Sequence, residues 1–301
     1  MVALTNASPM RFRRNMPETD AVLRAMTNDG AFRVVAARTT DTAREIVAAQ
    51  KLSGNMAHDM ADLVASAVLY RETMAPSLRV QCIVRFEEDA GQLIADSHPD
   101  GWTRGLLQSG SGNAPPDIRK TKATLEMMRT LPNAELHRGV VEVPESGNLS
   151  EAFMRYMQLS EQIVSMISLG STLEGDRPAS GGFVVQLLPE ASKAEAAMET
   201  MAKRIEGFVE IEERLQDADA SPSILIEQIF EGMPFTWLQN SDIRFGCQCS
   251  QLRVMTTLSV LDRSDVQELV EEGDPLSMSC DYCGATYIVE IAQLHGLLST
   301  S

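Results

Sequence analysis

Apolar residues recur along this chain with two periods. Leu78, Val80, Cys82 and Val84 alternate with other residues at a spacing of two, which predicts a half-buried strand over residues 78–86. Residues 31–38 form an apolar, β-branched run after the turn Asn28-Asp29-Gly30 and predict another strand. Residues 91–97, 102–107, 136–143, 163–169 and 182–188 read the same way. Elsewhere the spacing changes to three and four. Ala43, Ile46, Val47 and Gln50 mark one face of a helix over 41–51. Met60, Leu63, Val64, Ala67 and Val68 mark a second helix over 56–74, which Pro76 stops. Residues 149–162 read as a third helix, and 122–131 fit either period. Residues 1–17 read as a loose arm and 108–116 as a loop by composition. The elements mix without a regular strand–helix–strand alternation, so the predicted class is α+β.

After Pro189 the texture changes. Residues 191–215 are rich in Ala, Glu, Lys and Met, and predict one long helix. Met198, Met201, Ile205, Phe208 and Leu215 form its apolar stripe, with Ile211 beside it and charge on the other side. Gly207 within that helix costs about 1 kcal/mol relative to alanine. The helix therefore depends on packing: it reads either as a surface helix packed on the main domain or as one that docks in one state and detaches in another. Detachment would expose Met198, Met201, Ile205 and Phe208, the candidate binding residues of the stripe. Residues 217–223 read as a linker and 224–230 as a short apolar helix. Further on, 251–261 predict a helix, as does the segment after Ser264, where Gln267 would complete a capping box and Gly273 a stop. Residues 276–279 and 286–290 read as short strands. The expected organisation is a large mixed N-terminal domain over 1–190, a metastable helical linker over 191–241, and a small C-terminal zinc-binding module over 242–301.

Composition narrows the function. A length of 301 residues suits about two domains. With 44% hydrophobic and 23% charged residues, the chain is ordinary for a globular protein. No apolar run approaches the ~18 residues of a membrane span. The basic first residues lead into no apolar core, so no secretion signal is expected. The formal charge of −16 argues against nucleic acid and anionic membranes as partners, since both reward basic surfaces. It suits a protein that stays soluble while exposing apolar surface.

The chemistry concentrates in the cysteines. Cys247-Gln248-Cys249 and Cys280-Asp281-Tyr282-Cys283-Gly284 hold four of the five. Two close pairs a few tens of residues apart suit one zinc ion bound by four thiolates. A module of roughly 60 residues is marginal without such a staple. Clustered cysteines also fit a reducing, cytoplasmic setting better than a disulfide framework. Cys82 is expected to be an inert core thiol. His58, His98, His137 and His295 show no ligand spacing. The chain carries no phosphate loop for ATP, no Gly-x-Ser-x-Gly and no His-Glu-x-x-His, so it reads as a protein that is not an enzyme. Two other readings compete: a thiol–disulfide oxidoreductase using Cys280 and Cys283, and a zinc ribbon on an unrelated protein. The first would need its Cys-x-x-Cys to open a helix; here Gly284-Ala285-Thr286-Tyr287 reads as a turn and a strand.

The two cysteine segments, Phe245-Gly246-Cys247-Gln248-Cys249-Ser250 and Cys280-Asp281-Tyr282-Cys283-Gly284, resemble those of the redox-regulated 33-kilodalton heat-shock chaperonin family. Tyr156-Met157-Gln158-Leu159-Ser160-Glu161-Gln162, Arg138-Gly139-Val140-Val141 and the segment from Gly181 to Pro189 resemble the family in the same order. Two features depart from it. Gln251-Leu252-Arg253 keeps only the Arg of a Glu-Arg pair, and Phe86-Glu87-Glu88-Asp89-Ala90-Gly91 stands in place of a Gly-Asp-Gly-Pro turn. The family pattern favours a strand for 122–131. The resemblance implies a stress-response holdase chaperone that binds unfolding proteins without ATP and is switched on by oxidation. It further implies one zinc on Cys247, Cys249, Cys280 and Cys283 in the reduced state and a homodimer in the oxidised state. On oxidation the pairs nearest in sequence, Cys247–Cys249 and Cys280–Cys283, are expected to join.

Overall fold

The computed structural model describes residues 19–74, 78–111, 116–131, 135–188, 195–208, 211–217 and 220–299, with the backbone alone for 195–198. The expected N-terminal arm, residues 112–115 of the loop expected over 108–116 and the side chain of Met198 lie outside the described residues.

The chain opens with β1 (Ala21–Thr27), β2 (Phe32–Arg38), α1 (Thr40–Ala49) and α2 (Gly54–Thr73). An antiparallel run follows: β3 (Val80–Phe86), β4 (Gly91–Ser97), β5 (Trp102–Ser109), β6 (Ala123–Thr130) and β7 (Leu136–Glu142). Next come α3 (Leu149–Leu159), β8 (Ser165–Thr172) and β9 (Ala179–Leu187). Residues 122–131 are thus a strand. β1 was not evident in the sequence because both its faces are largely covered, which removes the alternation that identifies a half-buried strand.

Two six-stranded sheets sandwich α2. The first has the order β8–β9–β2–β1, and β1 then takes two short strands on its far edge, β10 (Phe235–Trp237) and β11 (Ser241–Asp242). The second has the order β7–β6–β3–β4–β5, closed by β12 (Arg244–Phe245), which runs parallel to β5. Val35, Ala37 and Val184 of the first sheet and Val80, Cys82, Val84, Leu93 and Leu125 of the second meet Met60, Leu63, Val64, Val68 and Leu69 of α2 in one core. The sequence suggests a one-faced α2. The helix is buried nearly all round, as a helix between two sheets must be. Its charged end is compensated inside: Arg71 donates to Glu72 and to the His98 carbonyl, and Arg24 pairs with Glu72.

The opposite face of the first sheet carries Leu23, Ala25, Phe32, Val34, Ala36, Phe183 and Val185. Three helices cover it: α4 (Glu195–Glu206), α5 (Ile211–Leu215) and α6 (Pro222–Ile229). The single helix expected over 191–215 is broken. The N–H groups of Gly207 and Phe208 bond back three residues, to Arg204 and Ile205, and Arg214 donates twice to the Gly207 carbonyl. The break lets Phe208 turn its ring edge onto Phe183, at 5.6 Å between centroids. It costs little because glycine is a poor helix former.

The C-terminal part holds α7 (Gln251–Leu258), α8 (Arg263–Glu272), the hairpin β13 (Leu276–Ser279) and β14 (Thr286–Val289), and α9 (Ile291–Ser299). Asp262, not Ser264, is the N-cap of α8. Ser264 sits inside the helix and Gln267 donates to Glu271, so the expected capping box does not form. Gly273 stops α8 in the left-handed conformation, as expected. Among the described residues this part's own core is small: Leu258, Val289 and Leu294 form its buried cluster, and Val266 of α8 is also buried.

Candidate metal centre

Each cysteine pair is placed by a tight local structure. Cys247 and Cys249 follow β12, which is fixed on the edge of β5. Gly246 lies so close to the Trp102 ring that a Cβ there would sit 1.7 Å from it, so glycine alone permits the approach. Ser250 then caps α7, its hydroxyl accepting the Arg253 N–H. The second pair occupies the turn between β13 and β14. The Cys280 N–H donates to the Ala285 carbonyl and the Gly284 N–H to the Cys280 carbonyl, both at 2.8 Å. Gly284 takes the positive φ of 71° that the turn requires. A turn and a strand after Cys283 is a knuckle, and it does not provide the helix N-terminus that an oxidoreductase Cys-x-x-Cys uses.

The four sulfurs all lie within 4.8 Å of one another. Cys247 Sγ is 3.6 Å from Cys280 Sγ, and Cys249 Sγ is 3.4 Å from Cys283 Sγ. Sulfurs bound tetrahedrally at about 2.3 Å are about 3.8 Å apart. The cluster can therefore hold a metal ion and is compatible with zinc; a small adjustment of side chains closes the tetrahedron. Among the described residues it is the one group of three or more His, Cys, Asp or Glu with ligand atoms in such reach.

The surroundings treat the sulfurs unequally. Burial opposes charge on Cys247, but the Cys249 N–H, Arg104 and neighbouring thiols donate to it and bring it down to about 7. Burial raises Cys280, and pushes Cys283 up to about 12 with help from its cysteine neighbours. The Tyr287 hydroxyl donates to Cys249 Sγ at 3.0 Å, and that bond raises the Tyr287 phenol to about 12. A coordinated metal overrides such differences, because it deprotonates each thiol it binds.

Sequence reasoning did not find the groups that seat this cluster on the N-terminal sheets. Arg104 on β5 donates to Cys247 Sγ at 3.6 Å and lies over the Tyr282 ring at 4.0 Å. Gln50, at the end of α1, donates to the carbonyls of Asp281 and Tyr282 at 2.7 and 3.0 Å. No sequence signal pointed to these groups, since a lone Arg in a strand and a Gln at a helix end are ordinary.

The other predicted residues lie elsewhere. Cys82 is fully buried on β3, where desolvation holds its thiol protonated. Met201 and Phe208 are buried against the first sheet, and Ile205 is partly buried there. His58 Nδ1 is hydrogen-bonded to the Ser171 carbonyl at 2.9 Å, and His137 Nε2 lies 3.3 Å from Glu161.

Comparison with known proteins agrees over most of the chain. It is 27% identical to the 33 kDa chaperonin of Bacillus subtilis, covering 92% of this chain and 98% of that protein. It is 25% identical to the 33 kDa chaperonin of Desulforamulus reducens, covering 93% and 97%. The crystal structure of the 33 kDa chaperonin (heat shock protein 33 homolog) of Thermotoga maritima has the same fold, with a TM-score of 0.80 at 20% identity over 94% of this chain and 98% of that one. Relatives named as chaperonins fit the reading of this chain as a chaperone and not an enzyme. The family model described as Hsp33 protein matches residues 20–290, and the chain belongs to that family of chaperones.

Proposed function

We propose that this protein is an ATP-independent holdase that oxidation switches on. One observation carries the reading. Four sulfurs in tetrahedral reach join a C-terminal part whose own core is small. The reduced protein binds one zinc through Cys247, Cys249, Cys280 and Cys283. Structural zinc in small modules supplies about 10–16 kcal/mol, comparable with the ~5–15 kcal/mol stability of a whole domain. Losing it unfolds the module.

A hydroperoxide is an oxidant class that fits. A thiolate attacks its O–O bond, forming a sulfenic acid and releasing hydroxide or alkoxide, which is protonated to water or an alcohol. A second cysteine displaces water from the sulfenic acid, giving a disulfide. Each disulfide thus consumes two thiols and one hydroperoxide. The paired sulfurs no longer offer thiolates to a metal. The four sulfurs lie within 4.8 Å of one another, and the separations of 3.6 and 3.4 Å, Cys247–Cys280 and Cys249–Cys283, run between the segments, so distance in the folded site does not favour pairing within each segment. Once the module loosens, closing the shortest loops favours Cys247–Cys249 and Cys280–Cys283, although one intervening residue strains the first bridge.

Residues 1–190, 191–241 and 242–301 act as chaperone domain, metastable linker and redox module. Unfolding of the module loosens α4–α6, and the stripe of Met198, Met201, Ile205 and Phe208, with the sheet face beneath it, becomes available to an unfolding client or a second copy of the chain. The acidic charge keeps the complex soluble. We place the protein in the cytoplasm, as part of a stress response.

The test measures zinc content and suppression of reporter aggregation, without ATP, on one sample reduced and then oxidised. Zinc release with increased suppression is the expected result. Release without a gain in suppression overturns the switch, and equal suppression in both states makes the protein a constitutive holdase.

A further inference from the structure

The contacts that seat the cysteine cluster converge on one side chain. Asp96 of β4 is almost fully buried and takes both Arg79, at 2.7 and 2.6 Å, and Arg104, at 3.0 and 2.9 Å. Two guanidinium groups on one carboxylate leave one positive charge unmatched. Arg104 carries it toward the cysteines: its third nitrogen donates to Cys247 Sγ, and its plane covers the Tyr282 ring between Cys280 and Cys283. One planar group therefore touches both cysteine segments. The surroundings brace this arrangement. Gln50 accepts the Leu107 N–H from β5 and donates to the Asp281 and Tyr282 carbonyls, holding the knuckle over the same strand. Arg244 lies over the Trp102 ring at 4.7 Å, on the side where Gly246 passes.

We propose that Arg104 is the positioning residue through which the N-terminal sheets sense the charge on the cysteine cluster and hold the module docked. This rests on the reading of the cluster as a thiolate metal site. Four thiolates around a divalent ion carry a net charge of −2, facing the spare positive charge of the Asp96–Arg79–Arg104 group. Two disulfides carry none. Taking four electrons from the four sulfurs, by two hydroperoxides each reduced to water and an alcohol (two waters for hydrogen peroxide), removes the charge that Arg104 binds. The latch then keeps only the ring contact and the Gln50 bonds. Metal loss and undocking are coupled in this way without any shape change being transmitted through the sheet.

The test uses the full chain, reduced, loaded with zinc for hydrogen exchange and with cobalt for spectroscopy. Arg104→Ala leaves Asp96 paired to Arg79, so no buried carboxylate is orphaned and folding is expected. Exchange at residues 280–284 is expected to quicken by on the order of tenfold, while one metal per chain is retained. The thiolate-to-cobalt charge-transfer band is expected to shift, because a donor to Cys247 has gone. Arg104→Lys should recover part of the protection. Gln50→Ala should quicken exchange and leave the band in place. Tyr282→Leu gives a second route to the exchange measurement if Arg104→Ala folds poorly. Wild-type exchange at 280–284 in Arg104→Ala overturns the latch, with or without a band shift. None of these readouts uses oxidation or a client. Failure of the latch is therefore separate from failure of the holdase reading, which the oxidised wild type tests alone.

Discussion

Cys82 and Cys247 have the same side chain, and their surroundings send them in opposite directions. Burial in the core, with the charge of nearby Asp96, keeps the Cys82 thiol neutral; around Cys247 a guanidinium and an amide favour the thiolate. Cys82→Ser is accordingly expected to leave zinc content and switching unchanged, whereas Cys280→Ser should weaken zinc binding sharply. Full zinc affinity in Cys280→Ser, measured by chelator competition, would remove that residue from the site. Asp62 is a different kind of residue. Its carboxyl, on α2, accepts the Ser171 hydroxyl of β8 at 2.8 Å and faces Glu212 of α5, with Asp59 and Arg119 nearby. Burial, with like charge from Glu212, raises it from 3.8 to about 7. The folded state therefore binds the proton more tightly than the unfolded chain. Stability from this group is complete at low pH and is lost as pH rises between those two values. Each unit is about 1.4 kcal/mol before relaxation. Asp62→Asn, which keeps the acceptor, should flatten the fall in melting temperature between about pH 4 and about pH 7. An unchanged slope would show that Asp62 is charged throughout.

At the scale of elements, α4, α5 and α6 matter most. Among the described residues, their apolar side chains pack on the face of the first sheet and on one another. Short helices of this kind persist through tertiary packing and not through propensity. Phe208 is the anchor, with Phe183 at its ring and Arg214 over it at 4.3 Å. Phe208→Ala should cost about 3–5 kcal/mol if the site does not collapse. It should expose residues 195–217 to protease in the reduced protein, where wild type resists. Equal resistance in the two would mean that these helices are held by α6 and its Leu225 and Ile226 instead.

For the whole molecule, the two large sheets and the cysteine part are tied by short pieces of chain. β10, β11 and β12 place the residues just before Cys247 on both sheets in turn. The path from α6 to the metal site thus runs along sheet edges, where a released module would pull on β12 and β11 first. Oxidised protein is expected to lose protection in that order: residues 280–284, then 241–245, then 211–229. Hydrogen exchange after timed oxidation reads it directly. Simultaneous loss everywhere would make the chain one cooperative unit, with no separate linker.

The sequence by itself determined the elements whose signal is local. β3 shows because Val80, Cys82, Val84 and Phe86 are covered on one face while Arg85 and Gln81 on the other reach water. The cysteine cluster shows because ligand spacing within each segment is set by the turn that brings its two sulfurs together. Gly273 shows because the left-handed stop is a single-residue property. What only the tertiary structure decided lies where partners are far apart in the chain. β1 has both faces covered, so nothing along the sequence distinguishes its sides. The break at Gly207 forms because Phe208 gains a ring contact on a strand that pattern alone does not place beneath it. The seat of the metal centre joins Arg104 to Cys247 across 143 positions and Gln50 to Asp281 across 231. Periodicity registers which residues are apolar and how often they recur. It holds no record of which strand edge a distant arginine will face, because that is fixed only when the two sheets close over α2.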